Sequence, residues 1–112
     1  MTMPKIIIGT PIKIGKLEVA QNNFPNPVNW DDAKKACSEL GDGWRLPTKD
    51  ELNFLNKNKK KIGGFEEEFY WSSSEIDNNL VWSQEFGEES GMEIDSDKEF
   101  LCYVRAVKSV VK

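Results

Sequence analysis

The stretch Gly43-Trp44-Arg45-Leu46-Pro47-Thr48, followed at once by Lys49-Asp50-Glu51-Leu52, constrains this chain more than any other. It places a large aromatic, a guanidinium, a rigid proline and a helix start side by side. Thr48-x-x-Glu51 is a capping box: the threonine hydroxyl accepts from the third helical amide, and the glutamate reaches back to the cap amide. Pro47 cannot extend a preceding helix, so the new helix starts at a fixed point. A Trp and an Arg on the loop feeding that helix imply a loop that is buried and clamped.

The other landmarks fit around this loop. With 112 residues the chain has the length of one domain, enough to bury a modest core without metal. Four Trp and six Phe exclude disorder. Residues 5–8 read as a short β-run, and Ile12, Ile14, Leu17 and Val19 predict two short strands about a Gly15-Lys16 turn. We therefore expect one domain over 1–112, with 1–13 an N-terminal strand and candidate docking segment. The Asn22–Pro27 stretch is a loop. A first helix begins near Trp30, with Asn29 as N-cap and Asp31 and Asp32 where the dipole favours anions. Trp30, Ala33, Cys37 and Leu40 form its buried stripe, and Gly41 and Gly43 end it.

The second helix, opened by the capping box, buries Leu52 and Leu55 beside Phe54. Lys57, Lys59, Lys60 and Lys61 read as its solvated C-terminal end. Beyond Gly63-Gly64 come Phe69-Tyr70-Trp71-Ser72-Ser73-Ser74. Trp82 and Phe86 fall on a strand, and residues 87–91 read as a turn. Phe100 to Val107 is the expected last strand, with Phe100, Cys102, Val104 and Ala106 on one face.

Charge and residue types narrow the chemistry. The net charge is −4, and residues 66–99 carry twelve acidic side chains against one basic, Lys98. An acidic half of this kind repels phosphates, so nucleic acid is not an expected partner. The chain has no histidine, which removes the usual general base and the commonest zinc ligand. Its two cysteines cannot build a zinc site; they can form one disulfide in an oxidising compartment, or remain buried thiols. Ile6 to Ile8 is too short for a signal h-region or a membrane span, so neither export nor membrane insertion is expected of the chain itself.

The pattern Trp30-Asp31-Asp32-Ala33, Cys37, Leu40, GWRLPT with Glu51-Leu52, YWSS at 70–73, Trp82 and Phe86, and Val104-Arg105-Ala106-Val107 resembles a bacterial family. This is the Lcl-type C-terminal domain family, also called the major paralogous domain, and the likeness runs from about Ile14 to Val107. RLPT before an acid-rich helix also resembles the formylglycine-generating enzymes. The resemblance implies an α+β, C-type-lectin-like fold: two helices on small antiparallel sheets, a long loop region, and paired N- and C-terminal strands. It also implies a disulfide between the first helix and the last strand, the positions of Cys37 and Cys102. Such a bridge would contribute about 4 kcal/mol by the chain-entropy account.

No catalytic residues or cofactor are expected. Ser72, Ser73 and Ser74 lack a histidine to activate them and lie in no Gly-x-Ser-x-Gly elbow. Arg45 and Arg105 read as structural, together with Trp30, Trp44, Pro47, Thr48, Glu51 and Trp71. The calcium-dependent sugar site of lectins needs a Glu-Pro-Asn loop, which is absent, and Trp82-Ser83-Gln84 replaces its Trp-Asn-Asp strand. Alternating Glu93, Asp95, Asp97 and Glu99 read as a solvated acidic edge, with a weak cation site as the lesser alternative. The remaining candidate surface is the region 75–97, with Asn78, Asn79, Trp82, Gln84 and Glu85 as ligand-binding residues. The expected function is non-catalytic recognition of a glycan or protein surface, displayed on a phage particle or cell surface. The alternative is a decoration subunit contacting capsid, fibre or surface assembly proteins, with the Ile-rich segment 5–14 as its docking strand.

Overall fold

The computed structural model describes residues 3–87 and 91–110, with side chains from Ile6 onward. Strands β1 (Ile12–Ile14) and β2 (Leu17–Val19) form a hairpin, and β2 pairs with β6 (Val107–Ser109). The register sets Ile14 opposite Leu17 and Val19 opposite Val107, so the N-terminal hairpin is joined to the C-terminal strand as expected. Gly15 turns the hairpin at φ +58°, a left-handed conformation that glycine adopts without penalty.

A second antiparallel sheet has the order β3 (Phe69–Glu75), β4 (Leu80–Glu85), β5 (Glu93–Asp97). Side chains alternate across it, so Tyr70 and Trp71 enter different cores. Trp71 and Val81 pack with Trp30, Ala33 and Cys37 of α2 (Trp30–Ser38), and with Leu40, Trp44, Leu46, Cys102, Val104 and Ala106. Tyr70 and Phe86 pack with Leu52 and Leu55 of α3 (Lys49–Lys57), Ile62 of α4 (Lys59–Ile62), and Leu17, Val19 and Val107. Fully burying each large apolar side chain stabilises the fold by about 1.5–3 kcal/mol.

The helix starts follow their capping residues. Asn29 Oδ1 accepts from the Asp32 amide at 2.9 Å. Both halves of the capping box are present: Glu51 N donates to Thr48 Oγ1 at 3.1 Å, and Thr48 N to Glu51 Oε1 at 2.9 Å. Gly41, Asp42 and Gly43 then all take positive φ, which reverses the chain between α2 and the Trp44 loop.

Several expectations are corrected. Residues 5–8 are not a β-run: Met3–Ile8 is a short helix, α1. The cause is tertiary. Ile7 enters the core at 2% exposure, and the carbonyls of Ile6, Ile7 and Ile8 accept from Asn22 Nδ2, Asn22 N and Gln21 N. Ile7 of the Ile-rich segment is thus folded into the domain, while Ile6 stands 49% exposed. The last strand is shorter than expected. Val28–Cys102 and Tyr70–Tyr103 are isolated bridges, and Phe100 does not join Cys102 in the core but lies 59% exposed. Asp97 is the reason: its side chain accepts from Glu99 N and its carbonyl from Phe100 N, and this turn swings Phe100 outward. Lys59 is also not a free helix-end cation; its Nζ reaches the carbonyls of Phe86 and Gly87. In the expected turn at 87–91, residues 88–90 lie outside the described residues.

Candidate functional site

Arg45 acts as a clamp. It exchanges paired backbone hydrogen bonds with Val107, at 2.8 and 2.9 Å, which ties the loop to the C-terminal strand. Its Nη1 and Nη2 reach Glu51 Oε1 and Oε2 at 2.7 and 3.1 Å. Nη1 also donates to Leu46 O and Nη2 to Ser109 Oγ. The bidentate contact raises the Arg45 pKa. Burial pushes the Glu51 carboxyl up, but the hydrogen bonds from Arg45 and Thr48 outweigh it and hold the group below its ordinary range. Trp44, Leu46 and Pro47 are buried around this pair, so the loop is fixed on both sides.

Arg105 is buried at 1% exposure and has no carboxylate within ion-pair distance among the described residues. It donates from Nε to Asn23 Oδ1 and from Nη2 to Gly63 O, both at 2.9 Å, and its guanidinium lies 4.1 Å from the Phe65 ring centre. Burial pulls its pKa down to about 10 and pushes the neighbouring Tyr70 hydroxyl up to about 12. Tyr70 Oη accepts from Glu66 N at 2.8 Å. Arg105 therefore staples the Asn22–Pro27 loop and the Gly63-Gly64 turn to the last segment of the chain. Trp30 and Trp71 are anchored in the same manner, their indole N–H groups donating to Ser72 O and Val28 O.

The serines are used locally. Ser72 Oγ donates to Trp82 O and accepts from Ser74 N, and Ser74 Oγ accepts from Lys49 N. Cys37 and Cys102 are free, buried thiols in one core cluster, and burial pushes each up to about 12.

The expected ligand-binding residues do not form one patch. Asn78 and Asn79 lie exposed on the β3–β4 turn. Trp82 is half-buried, with Lys49 Nζ 4.1 Å from its ring centre. Gln84 is 1% exposed, and its Nε2 donates to Asn53 Oδ1 and Gly91 O, so it is no surface residue. Its strand face is covered by α3, which alternation along β4 alone does not reveal. Glu85 is half-buried, and its amide donates to Met92 O. The region 75–97 is also more regular than a loop, since β4 and β5 occupy about half of it.

Sequence reasoning missed the exposed apolar residues beside Asn78 and Asn79. Two aspartate turns meet at this end of the sheet. Asp77 Oδ1 accepts from Asn79 N and Leu80 N, and Asp97 Oδ1 accepts from Glu99 N. Lys98 joins them: its amide donates to Asn79 O, and its Nζ pairs with Glu75 at 2.9 Å. Ile76, Phe100 and Leu101 stand out from these turns at 40%, 59% and 66% exposure. The signal in the sequence was Asp97-x-Glu99, a side-chain-capped turn placed just before two apolar residues. Along β5 the side chains of Glu93, Asp95 and Asp97 are exposed, and the described residues hold no group of three metal-ligating side chains.

Two helices on opposite faces of a small antiparallel sheet, with the termini joined in a second sheet, define a C-type-lectin-like domain. The chain belongs to the Lcl C-terminal domain family, which matches residues 16–108. Among solved structures it is similar to botrocetin, with a TM-score of 0.68 at 13% identity, covering 92% of this chain and 98% of that one. It is also similar to EMS16, described as an antagonist of the collagen receptor integrin alpha2beta1, with a TM-score of 0.64 at 12% identity, covering 88% and 96%. A von Willebrand factor A1 domain–botrocetin complex gives a TM-score of 0.62 at 12% identity, covering 90% and 97%. No curated protein matches the chain.

Proposed function

We propose that this domain is a non-catalytic recognition module that binds a protein surface through the end built by turns 76–79 and 98–101. The observation that carries this reading is the exposure of Ile76, Phe100 and Leu101 next to Asn78 and Asn79, on turns held by side-chain hydrogen bonds. Apolar anchors within a polar rim are the composition of a protein interface. The fold supports it: botrocetin is seen in complex with the von Willebrand factor A1 domain, and EMS16 is described as an integrin antagonist. A non-catalytic role fits a chain without histidine, whose Ser72 and Ser74 hydroxyls are engaged by backbone and whose thiols are buried and held protonated. The proposal includes display on a phage particle or cell surface, which adjacent genes for capsid, fibre or surface proteins would support.

Protein and glycan arrays, each probed with and without chelator, test it. The reading expects chelator-insensitive protein binders that a Phe100→Ser/Leu101→Ser double variant no longer holds. Binders that survive this substitution at full strength would contradict it.

A further inference from the structure

The second sheet ends on β5, and the two sides of that sheet are treated differently. On the β3 side the edge is already covered: Tyr103 bridges Tyr70, its amide donates to Phe69 O, and its carbonyl accepts from Trp71 N. On the β5 side the register decides which backbone groups are spent. Glu85 N donates to Met92 O and Lys98 N to Asn79 O, so Met92, Ile94, Ser96 and Lys98 turn their amides and carbonyls toward β4. The alternate positions turn theirs away. Glu93 and Asp95 therefore present backbone N–H and C=O groups that have no partner among the described residues. Asp97 O accepts from Phe100 N, which ends the open run.

An open edge accepts another strand unless a proline, a bulge or a covering element blocks it. Strand β5 contains no proline, and its pairing with β4 runs in unbroken register from Glu93 to Asp97. The side chains then choose the occupant. Glu93, Asp95 and Asp97 stand exposed on one face of the edge. Ile94 is half-buried and Ser96 buried on the other, where Ser96 Oγ meets Ser83 Oγ at 2.7 Å. A second copy of this edge is the wrong partner, because like charges set directly across strands are destabilising. Lysine or arginine opposite Glu93 and Asp95 is favourable, and the acidic field of residues 66–99 draws a basic segment toward the edge.

We propose that the β5 edge takes an added antiparallel strand from a basic, extended peptide segment in which Lys or Arg alternates with β-branched residues. The backbone groups of Glu93 and Asp95 pair with those of the basic residues opposite. The basic side chains lie beside the Glu93 and Asp95 carboxylates, and the β-branched ones fall on the face of Ile94. The edge does not use Ile76, Phe100 or Leu101, so it stands or falls separately from the surface proposed above.

The test is an NMR titration of the isotope-labelled domain, at low ionic strength, with a capped peptide that alternates valine with lysine over the length of β5. Two controls accompany it: the same peptide N-methylated at its lysine amides, which cannot donate across the pair, and a counterpart with glutamate in place of lysine. Saturable amide shifts are expected with the first peptide alone, with a midpoint below about 1 mM. Hydrogen exchange should slow at the Glu93 and Asp95 amides and stay as in the free domain at Ile94 and Ser96, whose amides already face β4. Added salt should weaken binding. Glu93→Gln/Asp95→Asn should weaken it roughly fivefold. Asp95→Pro removes an amide that β4 does not use, and should abolish binding in a domain that still melts cooperatively. Equal binding of either control peptide, slowed exchange at Ile94 and Ser96 instead of Glu93 and Asp95, full binding by the Glu93→Gln/Asp95→Asn variant, or no saturation up to about 5 mM would each overturn the assignment.

Discussion

Arg45 and Arg105 solve one problem in two ways. Both tie the last segment of the chain to earlier loops, but Arg45 does it with a carboxylate partner and Arg105 with neutral acceptors and an aromatic face. The difference has a pH consequence. The folded state holds Glu51 below its ordinary value of 4.5, so the stabilisation from the pair is present above that value and drains away as pH falls through the lowered one. Glu51→Gln should cost about 1 kcal/mol at neutral pH, after allowance for solvent screening of a half-exposed pair. Acid titrations of melting should show wild type and variant converging at low pH; a gap that persists unchanged into acid would argue against the pair. At Arg105 the vulnerable neighbour is Gly64. Its φ is +82°, and a Cβ there would stand 2.7 Å from Arg105 Nη2. Gly64→Ala should therefore destabilise the domain by about 1–2 kcal/mol through strain and displacement of the guanidinium, measured by urea unfolding. The structural reading of both arginines came from their setting beside Trp44 and in the expected last strand. Their distant partners were not legible, because Ser109 is brought to Arg45, and Asn23 and Gly63 to Arg105, only by folding.

At the scale of elements, the helices were legible because their caps are local chemistry. Asn29 and the Thr48–Glu51 box act within one turn of the chain, so the sequence suffices to place them. Thr48→Ala should cost about 1 kcal/mol and lower the melting midpoint by about 5 °C, as read by circular dichroism. Helix α1 was not legible, since its carbonyls are satisfied by Gln21 and Asn22 from a distant loop. Gln84 was misjudged for a related reason: a helix laid over the face of β4 turns a strand's polar position into an interior one. The placement of Cys37 in α2 and Cys102 beside the Val28 bridge also joins elements far apart in sequence. Their pairing is a proposal that rests on the family likeness. Non-reducing mass spectrometry of oxidised protein should find one intramolecular bridge, and two free thiols there would sink it. Kept reduced, thiols pushed up to about 12 should resist alkylation until the domain unfolds.

For the molecule as a whole, rigidity and recognition are divided between its parts. Trp30, Trp44, Trp71, Arg45 and Arg105 are occupied with holding two sheets and two long helices together, whereas Ile76, Phe100 and Leu101 stand exposed. The loop with the strongest sequence signature therefore names the fold. The surface proposed for binding lies on turns whose exposure depends on where Asp77 and Asp97 stop the strands. A decoration subunit docking through its N-terminus would use the molecule differently, yet Ile7 is already committed to the core. Hydrogen–deuterium exchange of the domain, free and in complex with its strongest array binder, separates the two most directly. The account predicts new protection confined to residues 76–80 and 98–101, with the Met3–Val19 region unchanged. Protection concentrated on residues 3–19, with the two turns exchanging as in the free domain, would contradict it.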